Sequence, residues 1–155
     1  MRASPLDLLT GFMALVTVIA LVTTVDVNRE TVCVRGERGK ALVMDVPENR
    51  TVSLRYTHSV RQMVTIETYH IERGAIVLRS VKMGDGASSA LYDEGMSFMD
   101  GGAVRIEGVN VRLGGLKLRV GDVGRPVLTV GNTQIDLSDV FGPGEGVEIS
   151  LDGCA

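Results

Sequence analysis

Thr51-Val52-Ser53-Leu54-Arg55-Tyr56-Thr57-His58 is the stretch whose reading decides the fold. Val52, Leu54, Tyr56 and His58 fall on every second position, with Ser53, Arg55 and Thr57 between them. Side chains of an extended chain alternate between two faces, so a period of two predicts a half-buried β-strand. The same rhythm recurs outward from it. Val32 and Val34 alternate with Cys33 and Arg35, and Ala41 to Met44 form a short run ended by Pro47-Glu48-Asn49. Ile76 and Leu78 alternate with Val77 and Arg79. Later runs are Val104-Ile106, Val109-Val111-Leu113, Leu116-Leu118-Val120, Leu128-Val130, Ile135-Leu137 and Val147-Ile149-Leu151.

Glycine pairs and Gly142-Pro143-Gly144 punctuate these runs. Many short β-branched segments bounded by turn residues predict an all-β domain, an antiparallel sandwich or small barrel. With 19 glycines and no Trp, its core has to be built from Val, Leu and Ile. No helical periodicity of convincing length follows residue 27.

Before that residue the chain is of another kind. Leu8 to Val25 carries no charge. As a helix it would reach about 27 Å, close to the thickness of a hydrocarbon core. A buried core helix would show a polar face, and a cleaved leader would end in small residues. Val22-Thr23-Thr24-Val25 is a poor cleavage site. The expectation is therefore a transmembrane anchor over 1–27 and a β domain over 28–155. A literal count of flanking cations, Arg2 against Arg29, Arg35, Arg38 and Lys40, would place the domain in the cytoplasm. A short N-terminal tail rarely crosses, however, and large following domains translocate largely regardless of charge. An extracytoplasmic domain on the cytoplasmic membrane is preferred.

Cys33 and Cys154 are the two cysteines of the 155-residue chain, one in the first strand and one after the last. They could meet if those strands are neighbours, closing a loop of about 120 residues that stabilises by roughly 4–5 kcal/mol. Two unrelated thiols are the alternative. A net charge of −3 with mixed signs and no basic run or aromatic ladder excludes nucleic acid as an expected partner.

Three chemistries are open to the residues around His58. A hydrolase would use Ser59 as nucleophile and His58 as base, but strand neighbours point to opposite faces and no Gly-x-Ser-x-Gly elbow exists. A metal site would draw on His58, Glu67, His70 and Asp85. Glu67 and His70 fall on opposite faces of one strand, which leaves His58, Glu67 and Asp85, an oxygen-rich set with one imidazole. The preferred reading joins structure to binding. If Met63 to Glu72 returns antiparallel to Thr51 to His58, Glu67 shares a face with Tyr56 and His58. The three form a polar cluster at the core's edge, able to pin the small-residue loop Gly84 to Gly95. No catalytic residue, metal or cofactor is assigned.

Tyr56, His58-Ser59-Val60, Glu67 nine residues after the histidine, Tyr69, and Gly84-Asp85-Gly86 occur in this order and spacing. In them the chain resembles a prokaryotic family of small membrane-anchored proteins known as a domain of unknown function. The C-terminal half also fits, through Val104-Arg105-Ile106, Leu116 to Gly121, Leu128-Thr129-Val130-Gly131 and Ile135 to Asp139. Members are commonly encoded beside TAXI-type TRAP transporters, which take up small organic acids with an extracytoplasmic solute receptor. The resemblance implies an accessory protein acting by contact with a multi-spanning permease, and with its receptor as a further partner. Small residues at Thr10, Gly11, Ala14, Thr17, Ala20 and Thr24 could pack the anchor on a partner helix. A free-standing anchored module binding a small ligand or ion near His58, Glu67 and Asp85 is the alternative, and a Ser/His hydrolase ranks third. Two positions depart from the family pattern. Ala87-Ser88-Ser89 follows the Gly-x-Gly loop, and Arg125-Pro126 stands where members often carry a second histidine.

Overall fold

Val52, Leu54, Leu128 and Val130 face one another across adjacent strands, and around such apolar rows the chain builds two antiparallel sheets. The structure is a computed structural model, and it describes residues 30–58, 62–84, 96–151 and 154. The expected anchor over 1–27, Ser59, Val60, Asp85, Gly86 and most of the Gly84–Gly95 loop lie outside the described residues. Among those described, no helix is long and apolar enough to cross a membrane.

The chain runs β1 (Thr31–Gly36), β2 (Ala41–Asp45), β3 (Thr51–Thr57), β4 (Val64–Glu72), β5 (Ala75–Met83), β6 (Met96–Asp100), β7 (Ala103–Leu113), β8 (Leu116–Arg119), β9 (Val127–Val130), β10 (Thr133–Asp136), α1 (Leu137–Phe141) and β11 (Gly146–Leu151). The small sheet has the order β2-β1-β11-β8, the large one β10-β9-β3-β4-β5-β7-β6. Val32, Val34, Val147 and Ile149 of the small sheet pack on Val52, Ile71, Val81, Ile106 and Leu128 of the large one in a single core. Ile149, Leu128, Val34 and Val81 are wholly buried. Valine, leucine and isoleucine do fill the interior, joined by Tyr69, Met83 and Phe141.

Two local features depart from plain alternation. On β5 both Leu78 and Val81 are buried, three residues apart. Tyr69 pairs with Leu78 while Thr68 pairs with Ser80, so Arg79 is an extra residue, a β-bulge. On the other side Leu78 pairs with Val111 and Ser80 with Glu107, so Gly108-Val109-Asn110 loops out opposite Arg79. Gly108 takes φ +77° there, which glycine tolerates without steric cost. The Arg79 guanidinium is held between Glu72 and Asn110.

The run Ile135-Leu137, expected as strand, changes structure in its middle. The Asp136 side chain accepts the Ser138 backbone N–H at 2.9 Å and caps α1, which ends at Gly142 with φ +80°. An N-cap acceptor followed by Leu137 and Phe141, four residues apart and both buried, makes one helical turn the better solution.

Cys33 and Cys154 are joined as a disulfide, with Cα atoms 5.4 Å apart. The first and last strands are indeed neighbours, since β1 pairs with β11 and Val32 stands opposite Leu151. At the same end, Arg50 just before β3 forms an ion pair with Glu30. β3 then runs the height of the domain and delivers Thr57 and His58 to the opposite end.

Candidate functional site

The small sheet ends at β8, and among the described residues an opening lies between that edge and the inner face of β3 and β4. The opening is a cleft of about 800 Å³. Leu54, Tyr56 and Thr57 of β3, His58, and Glu67 and Tyr69 of β4 form one wall. Leu116 to Arg119 of β8 and the turn from Gly121 to Pro126 form the other. A sheet face under its partner sheet must be apolar; a face beside the edge can carry a carboxylate. That is why an inward position of β4 is a glutamate.

β4 does return antiparallel to β3. Leu54 stands opposite Glu67, Val52 opposite Tyr69 and Tyr56 opposite Thr65. The Tyr56 hydroxyl donates to Glu67 Oε1 at 3.0 Å, and the Tyr69 hydroxyl donates to Glu67 Oε2 at 2.5 Å. Two phenols thus clamp one carboxylate, both through charge-assisted bonds. Tyr69 is 2% exposed, so its hydroxyl needs a partner, and Glu67 supplies one. The bulge at Arg79 keeps Tyr69 and Glu67 on the inner face while both of their β5 neighbours, Leu78 and Val81, also point inward.

His58 sits just past β3, at the neck of a tight hairpin. Its N–H donates to the Met63 carbonyl and its own carbonyl accepts from Gln62 N–H, both at 2.8 Å. With its backbone fixed on both sides, the imidazole lines the cleft. Its Nδ1 is buried and has no hydrogen-bond partner among the described residues. The expected three-way cluster is therefore a Tyr56–Glu67–Tyr69 clamp with His58 beside it. Gly84 is drawn to the same end, where its N–H donates to the Val64 carbonyl at 2.9 Å. His70 is on the other face, with its Nε2 3.0 Å from Thr51 Oγ1. Among the described residues no three His, Cys, Asp or Glu side chains gather to hold a metal ion.

The second wall was not legible beforehand. Gly121-Asp122-Val123-Gly124 is turn-like and carries no periodic pattern. It is fastened to the first wall by Thr57 N–H donating to the Gly124 carbonyl at 2.9 Å. Arg125 pairs with Asp136 at 2.9 Å and Asp139 at 3.1 Å, and Leu137 N–H donates to the Pro126 carbonyl. These contacts tie the turn to α1. At the rim, Lys117 pairs with Glu148 at 3.6 Å and Arg119 with Glu37 at 3.8 Å. Arg119 also donates to the Gly144 carbonyl at 2.6 Å.

A family model described as Domain of unknown function (DUF1850) matches residues 52–137, more than half of the chain. The matched span runs from the second residue of β3 to the first of α1, and both cleft walls fall within it. No curated protein and no solved structure matches the chain.

Proposed function

The chain belongs to the DUF1850 family, and on that premise we propose that it is a membrane-held accessory protein of a TAXI-type TRAP transporter. It acts by protein contact in solute uptake, not by catalysis, with its β domain outside the cytoplasmic membrane. The observation that carries this reading is the convergence of Tyr56, His58, Glu67 and Tyr69, the residues of the resemblance, on one open cleft. A contact surface built this way needs shape and hydrogen-bond groups but no nucleophile. Support from the N-terminal side is the uncharged run Leu8 to Val25. Cross-linking followed by purification of the full chain in mild detergent tests it. A multi-spanning permease or an extracytoplasmic solute receptor is the expected co-purifying species; recovery of the chain alone counts against the proposal.

A second reading is favoured by one specific observation: His58 lines the cleft, and its buried Nδ1 has no hydrogen-bond partner among the described residues. It makes the domain a free-standing anchored module for a small ligand or ion near His58, Glu67 and Asp85. A thermal shift by small organic ions or metals, lost in Glu67→Ala, distinguishes it from pure protein contact.

A further inference from the structure

We infer that the free edge of β8 is a docking site for an extended segment of another polypeptide, one that alternates acidic and apolar residues; this deepens the protein-contact reading and rests on it. The backbone of β8 carries the argument. Val120 N–H donates to the Glu145 carbonyl at 2.8 Å, in phase with the register that sets Leu118 opposite Val147 and Leu116 opposite Ile149. Residues of an antiparallel pair alternate between those bonded to their opposite number and those whose N–H and C=O point away from it. Leu116, Leu118 and Val120 therefore direct their backbone groups to β11, and Lys117 and Arg119 turn theirs to the other side. Gly146, opposite Arg119, fixes the same phase, because its carbonyl accepts Glu37 N–H on the β1 side. β8 ends its sheet, and among the described residues no partner takes the backbone groups of Lys117 and Arg119. These stand two residues apart, about 6.7 Å along the strand. A row of donors and acceptors at that repeat is matched by another strand and not by a compact small molecule.

The cleft supplies the room, and the side chains select the occupant. An added strand would lie about 4.8 Å from β8, over the wall that carries Leu54, Tyr56 and Tyr69. Every second side chain would face inward onto Leu54, Leu116 and Leu118, a place for apolar residues. The others would stand on the outer face beside Lys117 and Arg119, whose side chains are 79% and 67% exposed. Their contacts with Glu148 at 3.6 Å and Glu37 at 3.8 Å are exposed pairs, too weak to withdraw them from a new neighbour. Opposite charges on facing strand residues attract, and like charges repel. A second copy of β8 in antiparallel pairing would set Lys117 and Arg119 against cations of the other copy. A strand with Asp or Glu at those positions meets both cations with opposite charge.

The probe is the peptide Ac-Thr-Glu-Val-Glu-Val-Glu-Thr-amide, titrated into the full-length chain in detergent micelles, with empty micelles subtracted. Calorimetry gives the affinity, and amide hydrogen exchange gives the place. The expected result is saturable binding that slows exchange of the Lys117 and Arg119 N–H groups by about tenfold or more. N-methylation of the glutamate amides, which face β8, abolishes binding, whereas N-methylation of the valine amides, which face away, does not. Replacing the glutamates by lysines weakens binding about tenfold or more. Lys117→Glu, at an exposed position, removes that preference. If the lysine peptide binds as well as its parent, the acidic occupant is overturned. If both N-methylated peptides bind alike, or the two amides exchange unchanged, the edge of β8 is not the site. Protection of the same amides that grows with protein concentration alone assigns the edge to a second copy and overturns the proposal. If no peptide binds while the chain still cross-links to a permease or receptor, strand addition falls and the protein-contact reading stands; if neither occurs, both fall.

Discussion

Leu54 and Glu67 stand directly opposite each other across β3 and β4, one apolar and one ionisable, on the same inner face. Leu54 is 5% exposed, while Glu67 is part-buried and lines the cleft. Within one cross-strand pair the interior of the domain changes from core to site. Glu67 is placed to serve a ligand because its strand is held by apolar packing and its carboxylate by two phenols.

That clamp has a measurable weight. Tyr69→Phe removes a charge-assisted hydrogen bond from a buried position and is expected to cost about 1.5–3 kcal/mol. Tyr56→Phe is expected to cost less, because Tyr56 is half-buried and Glu67 Oε1 then has access to water. Urea unfolding of the two variants should give this order; equal midpoints would show that the carboxylate is not clamped asymmetrically.

The Cys33–Cys154 bond closes a loop with a sequence separation of 121. Reduction, or the Cys33→Ala/Cys154→Ala double variant, is expected to lower stability by about 4–5 kcal/mol in the chain-entropy account. Denaturation with and without reductant measures it. The double variant should then be insensitive to reductant.

Gly36 and Gly146 look alike in space but not in cost. A Cβ on Gly36 would come 2.8 Å from the Phe141 ring and 2.7 Å from Glu145 Oε1, both buried. Neither can move freely, so Gly36→Ala is expected to destabilise by about 1–3 kcal/mol, as overpacking does. The atoms nearest a Cβ on Gly146 would be those of the Glu37 carboxylate, the far end of an exposed side chain that can swing away. Gly146→Ala is expected to stay within about 1 kcal/mol of the parent. Comparing the two thermal midpoints decides whether α1 is truly seated against β1.

Glu72 gives a pH signature. Hydrogen bonding from Arg79, followed by its charge, holds the Glu72 carboxyl below the ordinary glutamate value. A depressed folded value contributes stability above the unfolded value of about 4.3, and that contribution is lost as pH falls through the folded one. The side-chain carboxyl resonance of Glu72 should therefore titrate low in the parent and return upward in Arg79→Ala. Coincident titrations would mean that Arg79 is not held to Glu72 at the bulge.

Much of the fold was legible in the alternation. The inward row of β3 predicted a half-buried strand, and Glu67 shares a face with Tyr56 because Met63 to Glu72 does return antiparallel, the condition on which that expectation rested. Three things were not. Arg79 reads as an ordinary outward residue, because a bulge is a relation between strands and leaves no mark in one strand's own pattern. Ile135-Leu137 carries strand-like spacing, and only the cap formed by Asp136 turns it into a helix. The second wall of the cleft rests on Asp122, Val123 and Gly124, whose position comes from a backbone bond to Thr57 that no local pattern announces. His58 was expected in one polar cluster with Tyr56 and Glu67; the Glu67 carboxylate accepts hydrogen bonds from Tyr56 and Tyr69, and His58 lines the same cleft.

The pairing of β1 with β11, fixed by the Cys33–Cys154 bond, sets how the protein can be handled. Val32 opposes Leu151, so the chain enters and leaves at one end of the domain, beside Glu30 and Arg50. His58 lies at the far end of the seven-residue β3, about 23 Å away at the usual rise per residue. A fluorophore or surface tether placed beside Cys154 therefore sits next to β1 and leaves the His58 end pointing into solution. Immobilisation at that end presents the cleft to a ligand or partner in flow, whereas a label inserted near Gly124 would block the mouth itself.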